Sequence, residues 1–301
     1  MRYKKTFLSF EKQLSKLKDR GLKVHDDKKA IQILSAISYY RLRAYTYPFQ
    51  NNEDPKHPFD REVSFEQIYN LYTFDGRLRK LLFRALEKIE IALRTQIIYQ
   101  FAKSYGSHWQ LDPHLYRDTA RFARHLDSLN REIDRSQETF IKHYKEKYDQ
   151  PEQPPCWMSL EVASFGTLSK IFKNLKAGKE KDQVAEYFKL KDIRTLENWM
   201  FCFSILRNAC AHHSRLWNKR LNALPFLPYN SPNPFMRKKE TKQIYRNKIY
   251  AVICCMYYIL KVIEPDNTFK VDLIHLMKSC PFKQESEMGF PKDWLKQGVW
   301  Q

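Results

Sequence analysis

Between Leu206 and Arg220 the chain reads LRNACAHHSRLWNKR, which sets Arg207 and Asn208 four residues ahead of the adjacent pair His212 and His213. A neutral imidazole can take a proton, and a guanidinium can hold a phosphate through two parallel hydrogen bonds. These are the ingredients of RNA cleavage without a metal. A base removes the 2′-OH proton, the oxygen attacks phosphorus, and arginine offsets charge on the phosphoryl oxygens. From Asn198 to Lys239 there is no Asp or Glu, whereas Arg207, Arg215, Lys219, Arg220, Arg237, Lys238 and Lys239 all fall in that stretch. Beside Arg207, the other six are candidate contacts to an RNA backbone. The competing reading is a structural helix end with satisfied histidines. Spacing alone does not separate the two, because Arg20 and His25 repeat Arg-x4-His where Gly21 stops a helix.

The element that must position these groups is a helix expected over Asp192 to Trp217. Trp199 to Leu206 is apolar almost throughout, so the helix enters the core before its polar residues begin. At ~3.6 residues per turn, Ser204, Asn208, His212, Arg215 and Lys219 share one stripe, and Leu206, Cys210, His213 and Trp217 share another. Arg207 lies between the stripes. This pattern favours His212 as the base and keeps His213 as a candidate. Ala209 and Ala211 leave room for a close neighbour. A metal reading of His212, His213, Cys202 and Cys210 lacks a further ligand pair, and adjacent histidines diverge on a helix; neither metal nor cofactor is expected.

Elsewhere the pattern is helical. Ile68, Leu71 and Tyr72, then Leu78, Leu81, Leu82, Leu86, Ile89, Leu93 and Ile97 recur at helical spacing through Phe65 to Tyr105, a seam for helix-on-helix packing. On that helix Glu87 and Glu90 sit one turn apart among Arg84, Lys88 and Arg94. They suit intrahelical ion pairs, or a brace for the motif arginine from a neighbouring helix. Shorter helices are expected over Phe7 to Leu17, Ala30 to Leu42, Tyr116 to Tyr148, Glu161 to Leu175 and Lys179 to Phe188, with Asp26 or Asp27 capping the second of the chain. No alternating strand pattern runs longer than a few residues. The prediction is an all-α chain organised as one domain over 1–301, with a helical part to about 150, a motif-bearing part at about 156–265 and an extension at 266–301. Pro151 to Trp157 offers a boundary, yet the helices on either side look too one-sided to stand alone.

The formal net charge of +19 raises the local concentration of polyanions. Nucleic acid is the leading partner class and an anionic membrane surface the second. Only 7 glycines are present and no Gly-rich phosphate loop occurs, which argues against a nucleotide-cradling fold. The longest apolar run, Ile249 to Ile263, is shorter than the ~20 residues a bilayer requires and reads as a buried helix. The opening MRYKKTFLSFEKQL lacks the apolar core of a signal peptide. Six cysteines without C-x-x-C or framework spacing fit a reduced, cytoplasmic setting. The run Met236 to Lys248 suits either an RNA-tracking edge or a solvated helix face, and the basic N-terminal helix is a weaker RNA candidate.

RNACAHHSRLWN resembles the Arg-x4-6-His signature of the HEPN superfamily, in the version carried by Abi-like (AbiD/AbiF-type) abortive infection proteins. SYYRLRAYTYPF (Ser38 to Phe49), LYTFDGRLRKLLFRALEKIEIALR (Leu71 to Arg94) and WMSLEVASFGTLSKIF (Trp157 to Phe172) resemble that family's other blocks, in the expected order over roughly residues 5–265. Arg43-Ala44 departs where a small residue and Gly are expected, at a structural turn. The resemblance implies a HEPN-type helical bundle with additional N- and C-terminal helices, acting as a metal-independent endoribonuclease in phage defence. It implies Arg207 and His212 as catalytic residues, Asn208 as a phosphate-orienting residue, and His213 as an alternative under the longer spacing. It also implies a homodimer with a composite site and a possible antitoxin or regulatory RNA; some HEPN domains are instead non-catalytic binding modules.

Overall fold

The computed structural model describes Arg2 and residues 6–282 and 285–301. Met1 and residues 3–5 of the opening stretch, and 283–284 of the C-terminal extension, lie outside the described residues. The chain divides into two compact units, Met1–Arg79 with Leu273–Gln284, and Lys80–Asp272 with Glu285–Gln301. Among the described residues, α-helices, short 3-10 turns and isolated β-bridges are the only regular elements, so the fold is all-α.

In the first unit, α1 (Phe10–Asp19) buries Leu14 and Leu17 and is capped by Ser9, whose hydroxyl accepts from Lys12 N–H. Gly21, at φ +96°, ends it with a paired return: Gly21 N–H donates to the Lys18 carbonyl and Leu22 N–H to the Leu17 carbonyl. Asp26 caps α2 (Asp27–Ala36) by accepting from Lys29 N–H. The single helix expected over Ala30 to Leu42 is two helices. Ile37 leaves helical geometry and Ser38 caps α3 (Tyr39–Thr46) through its hydroxyl, since serine offers the backbone a better partner at a helix start than inside one. Arg43 and Ala44 therefore sit within α3 and not at a turn. The unit's core closes over a polar knot. Tyr45 donates to Asp75 at 2.6 Å, and Arg79 donates to the same carboxylate at 2.5 Å, with Asp75 wholly buried.

The helix α4 (Phe65–Tyr105) follows the seam, with Ile68, Leu71, Leu78, Leu82, Leu86, Ile89, Leu93 and Ile97 buried and Tyr72 and Leu81 half-buried at its edge, and it enters the second unit at Lys80. There follow α5 (Thr119–Asp134) and α6 (Thr139–Lys147), two helices where one was expected. The break falls where the Ser136 hydroxyl accepts from Glu138 N–H, a local turn that competes with the helix ladder. A single turn, α7 (Cys156–Ser159), leads to α8 (Phe165–Asn174), capped by Ser164, and then to α9 (Lys179–Tyr187). The motif helix α10 (Ile193–Ala211) packs on α8, α9 and α12. After the short α11 (Lys238–Thr241) comes α12 (Ile249–Ile263), buried without interruption from Ile249 to Leu260 and so surrounded by protein. The last helix, α13 (Phe269–Lys278), returns the chain to the first unit. Among the described residues no helix is long and apolar enough to cross a membrane.

Candidate active site

The motif helix is fixed before the motif begins. Trp199, Met200, Phe203 and Leu206 are buried, and the Trp199 indole donates to the Phe226 carbonyl at 2.7 Å. Asn198 donates to the Leu224 carbonyl and accepts from Phe226 N–H, so the proline-rich segment after the motif is stitched to the body of α10. The expected helix to Trp217 ends instead at Ala211. His212 is its last half-turn residue and His213 adopts the left-handed conformation at φ +55°. His213 N–H donates to the Cys210 carbonyl and Ser214 N–H to the Ala209 carbonyl, the same paired return that Gly21 makes after α1. His213, Arg215, Trp217 and Lys219 therefore do not continue the two helical stripes. The stripe Ser204, Asn208, His212 survives, and His213 is exposed rather than turned toward the apolar side.

Arg207 is held from the neighbouring helix α4. Its Nε lies 3.7 Å from Oε2 of Glu90 on α4, and its guanidinium carbon sits 5.9 Å from the centre of the Phe83 ring. Its Nη1 approaches the Asn208 side-chain oxygen at 3.4 Å. Glu90 is held from behind: Arg94 donates to it at 2.9 Å and also to the carbonyls of Glu161, at 2.5 Å, and Ala163, at 2.9 Å. Both readings of this carboxylate hold, because Glu90 makes an intrahelical pair with Arg94 and also faces Arg207. Glu87, by contrast, is exposed. Burial pushes the Glu90 carboxyl above its ordinary value, against the pull of Arg94 and Arg207, and the nearby Glu161 and Glu87 charges add to the rise. The acid missing from the local sequence thus arrives in three dimensions from another helix.

His212 is exposed at the end of α10, where its backbone N–H still donates to the Asn208 carbonyl. The loop that follows carries Arg215, Lys219 and Arg220, and it is anchored by buried Leu216, Trp217 and Leu221. Lys248 was passed over in the sequence as one cation in a mixed run. It donates to the Asn218 side chain at 2.8 Å and to the Glu287 carbonyl at 2.9 Å. Burial lowers its basicity; Glu287 opposes that effect, and the charges of Arg220 and Arg215 add to it, which places those two arginines in one basic neighbourhood. Arg237 is committed to the mostly buried Glu240, at 2.7 Å from its Nε. Lys238 lies 5.5 Å from the Tyr229 ring centre and Lys239 is exposed. Among the described residues, no ion pair or hydrogen bond joins Arg237, Lys238 or Lys239 to the motif. Arg246, likewise in that run, donates to the Pro225 carbonyl and braces the loop.

The motif thus combines a guanidinium one-third exposed, backed by a largely buried carboxylate, with an exposed imidazole at the end of the same helix. The model of the Abi-like protein family matches residues 32–218, more than half of the chain, and includes Glu90, Arg94, Arg207, Asn208, His212, His213 and Arg215. The chain belongs to the Abi-like family, and membership suggests a role in abortive infection. No curated protein and no solved structure matches it.

Proposed function

We propose that this chain is a metal-independent endoribonuclease of the HEPN type, a cytoplasmic effector of abortive infection. The observation that carries the reading is Arg207, held between Glu90 and Phe83 with its outer side open, five positions ahead of the exposed His212. In this reaction His212 takes the proton of a ribose 2′-OH, and the freed oxygen forms a bond to phosphorus. Arg207 and Asn208 meet the phosphoryl oxygens as their charge grows. The bond from phosphorus to the 5′-oxygen breaks, and that oxygen leaves with a proton from an acid. The products are a 2′,3′-cyclic phosphate and a 5′-hydroxyl. Arg215, Lys219 and Arg220 hold the flanking backbone, with Lys238 and Lys239 as outer contacts.

One chain offers one such imidazole, whereas the reaction uses a base and an acid. A homodimer in which two copies of the α10 end approach across Ala209 and Ala211 supplies both, and RNA bridging the two basic loops offsets their repulsion. An antitoxin protein or a regulatory RNA would act by covering this end of α10. The test is incubation of the purified protein with structured and unstructured RNA in EDTA, followed by mapping of the ends. Cyclic phosphate ends that vanish in Arg207→Ala and His212→Ala support the enzyme. RNA binding without cleavage by the wild-type protein would replace it with a non-catalytic binding module.

A further inference from the structure

A second cationic cleft opens between α5 and α8, at the other end of α10 from the motif. It encloses about 710 Å³ and is lined by Arg117, Arg121, Arg124, His125, Lys170 and Lys173, with Asp118 the one carboxylate in its wall. Two of the five cations are already neutralised: Arg117 pairs with Glu197 at 3.2 Å and Arg121 with Asp118 at 3.1 Å. Arg124 spends its Nε on the Ala120 carbonyl alone, at 3.3 Å, and Lys170 and Lys173 are exposed without an ion pair among the described residues. Arg124, Lys170 and Lys173 therefore converge from two helices without a direct ion pair among the described residues, although the Arg124 charge still acts on Asp118. At the cleft, Nδ1 of His125 is buried and has no hydrogen-bond partner.

We infer that this cleft is a backbone-binding subsite for single-stranded nucleic acid, in which Arg124, Lys170 and Lys173 hold phosphates and His125 hydrogen-bonds the strand. The inference rests on the ribonuclease reading for its choice of substrate. Burial, reinforced by the charges of Lys170, Arg124 and Arg121, lowers the His125 pKa against the opposing pull of Asp118, which keeps the imidazole neutral and able to donate or accept. Glu197, which fixes the lip of the cleft through Arg117, is ten residues before Arg207 on one continuous helix. At ~1.5 Å rise per residue this is ~15 Å. One stacked strand at ~3.4 Å per nucleotide covers that distance in about four or five nucleotides. RNA of about ten nucleotides can then fill the cleft and reach the motif, whereas a dinucleotide at the motif cannot.

The test uses the full chain with Lys170→Gln and Lys173→Gln combined, both at exposed positions, and a Lys170→Arg, Lys173→Arg control that keeps the charge. Affinity is read by fluorescence anisotropy on a 12-nucleotide 2′-O-methyl RNA, which offers no 2′-OH to attack, so the result does not depend on cleavage. Losing two single-strand phosphate contacts should flatten the log–log salt dependence by ~1.4 and weaken binding by about 25-fold at 0.1 M salt, while the arginine control binds normally. In the cleavage assay the Gln pair should raise KM for the 12-nucleotide RNA and leave kcat, and dinucleotide turnover, unchanged. Unchanged affinity and salt slope would overturn the subsite whether or not the protein cleaves RNA. A wild-type protein that does not cleave, with the Gln pair still showing the 25-fold loss, would sink the ribonuclease reading and leave the subsite standing. If the substitutions abolish binding to phosphatidylserine-containing vesicles and leave RNA affinity intact, the cleft serves a lipid surface and the inference fails.

Discussion

Replacing Glu90 with glutamine should slow the reaction without loosening the protein. The substitution keeps the shape of the side chain and one acceptor for Arg94, but removes the charge that faces Arg207 across 3.7 Å. At an effective dielectric near 20, the bare attraction over that distance is about 4–5 kcal/mol. Most of it is cancelled, because Glu90 is largely buried and Arg207 is 36% exposed to water. A net positioning effect of about 1–2 kcal/mol remains, between the values for exposed and buried pairs, and corresponds to roughly a tenfold fall in kcat. Stability should move the other way or hardly at all. The folded chain binds the Glu90 proton more tightly than the unfolded chain does. Its favourable contribution is therefore present below the ordinary carboxylate value and lost as pH rises through the elevated one. Glutamine removes that loss along with the ion pairs, so the melting temperature at neutral pH should stay within about 4 °C of wild type or rise. Single-turnover cleavage across pH, beside thermal melts, reads both effects. Protonation of Glu90 should steepen the acid-side fall of wild-type kcat above the ordinary carboxylate range, and Glu90→Gln should lack that added steepness while keeping the fall that protonation of the base imposes. Full turnover in the variant, or turnover lost only together with the fold, would refute the brace.

Three further outcomes follow from the same geometry. His212→Ala should lose at least about a hundredfold in turnover, the usual scale for a removed base, while His213→Gly, which suits the left-handed backbone, keeps both fold and turnover; the reverse result would move the base to His213. Lys181 is fully buried and donates to Glu197 and to the Leu175 carbonyl, so Lys181→Ala should cost about 2–3 kcal/mol in chemical denaturation, less than a fully orphaned pair because Arg117 still meets Glu197. A loss below about 0.5 kcal/mol would show the pair to be dispensable. Mixing Arg207→Ala with His212→Ala chains should restore part of the cleavage if the site is composite, and an active protein that light scattering finds monomeric with and without RNA would rule the dimeric site out.

The long helices were legible because they announce themselves through periodicity: α4 and α12 begin and end as the apolar patterns require. The short breaks were legible only where the residue that makes them is specialised. Gly21 and His213 perform the same chain reversal, one at φ +96° and the other at φ +55°. A glycine advertises that conformation, whereas a histidine at φ +55° carries no sequence signal and accepts roughly 1–2 kcal/mol of backbone cost. The sequence pattern therefore extends the motif helix six residues beyond its end at Ala211 and places His213 on an apolar stripe that stops before it. Ser38 and Ser136 were missed for a related reason, since serine inside a helical pattern is common and its capping role depends on where the neighbouring backbone goes. The basic loop was visible as composition, but the role of Lys248 depends on Asn218 and Glu287, which no local pattern brings together.

The blocks that carry the family resemblance are tied to one another by buried polar contacts. Tyr45 of Ser38 to Phe49 meets Asp75 and Arg79 of Leu71 to Arg94. Arg94, at the end of that second block, meets the carbonyls of Glu161 and Ala163 in Trp157 to Phe172. Glu90 then hands this scaffold on to Arg207 in the motif. A buried carboxylate is a costly way to hold an arginine, and an exposed one would be cheaper for folding. For a phosphate site, however, position decides. On the proposed ribonuclease reading, an acid on the exposed side of Arg207 would repel an RNA backbone, whereas Glu90, 13% exposed, is largely shielded from solvent. On that reading a phosphate would meet the cation first and the acid only as its support. The acid-free stretch from Asn198 to Lys239 and the distant Glu90 are therefore two halves of one arrangement: negative charge is kept out of the surface loop and brought in from within the core.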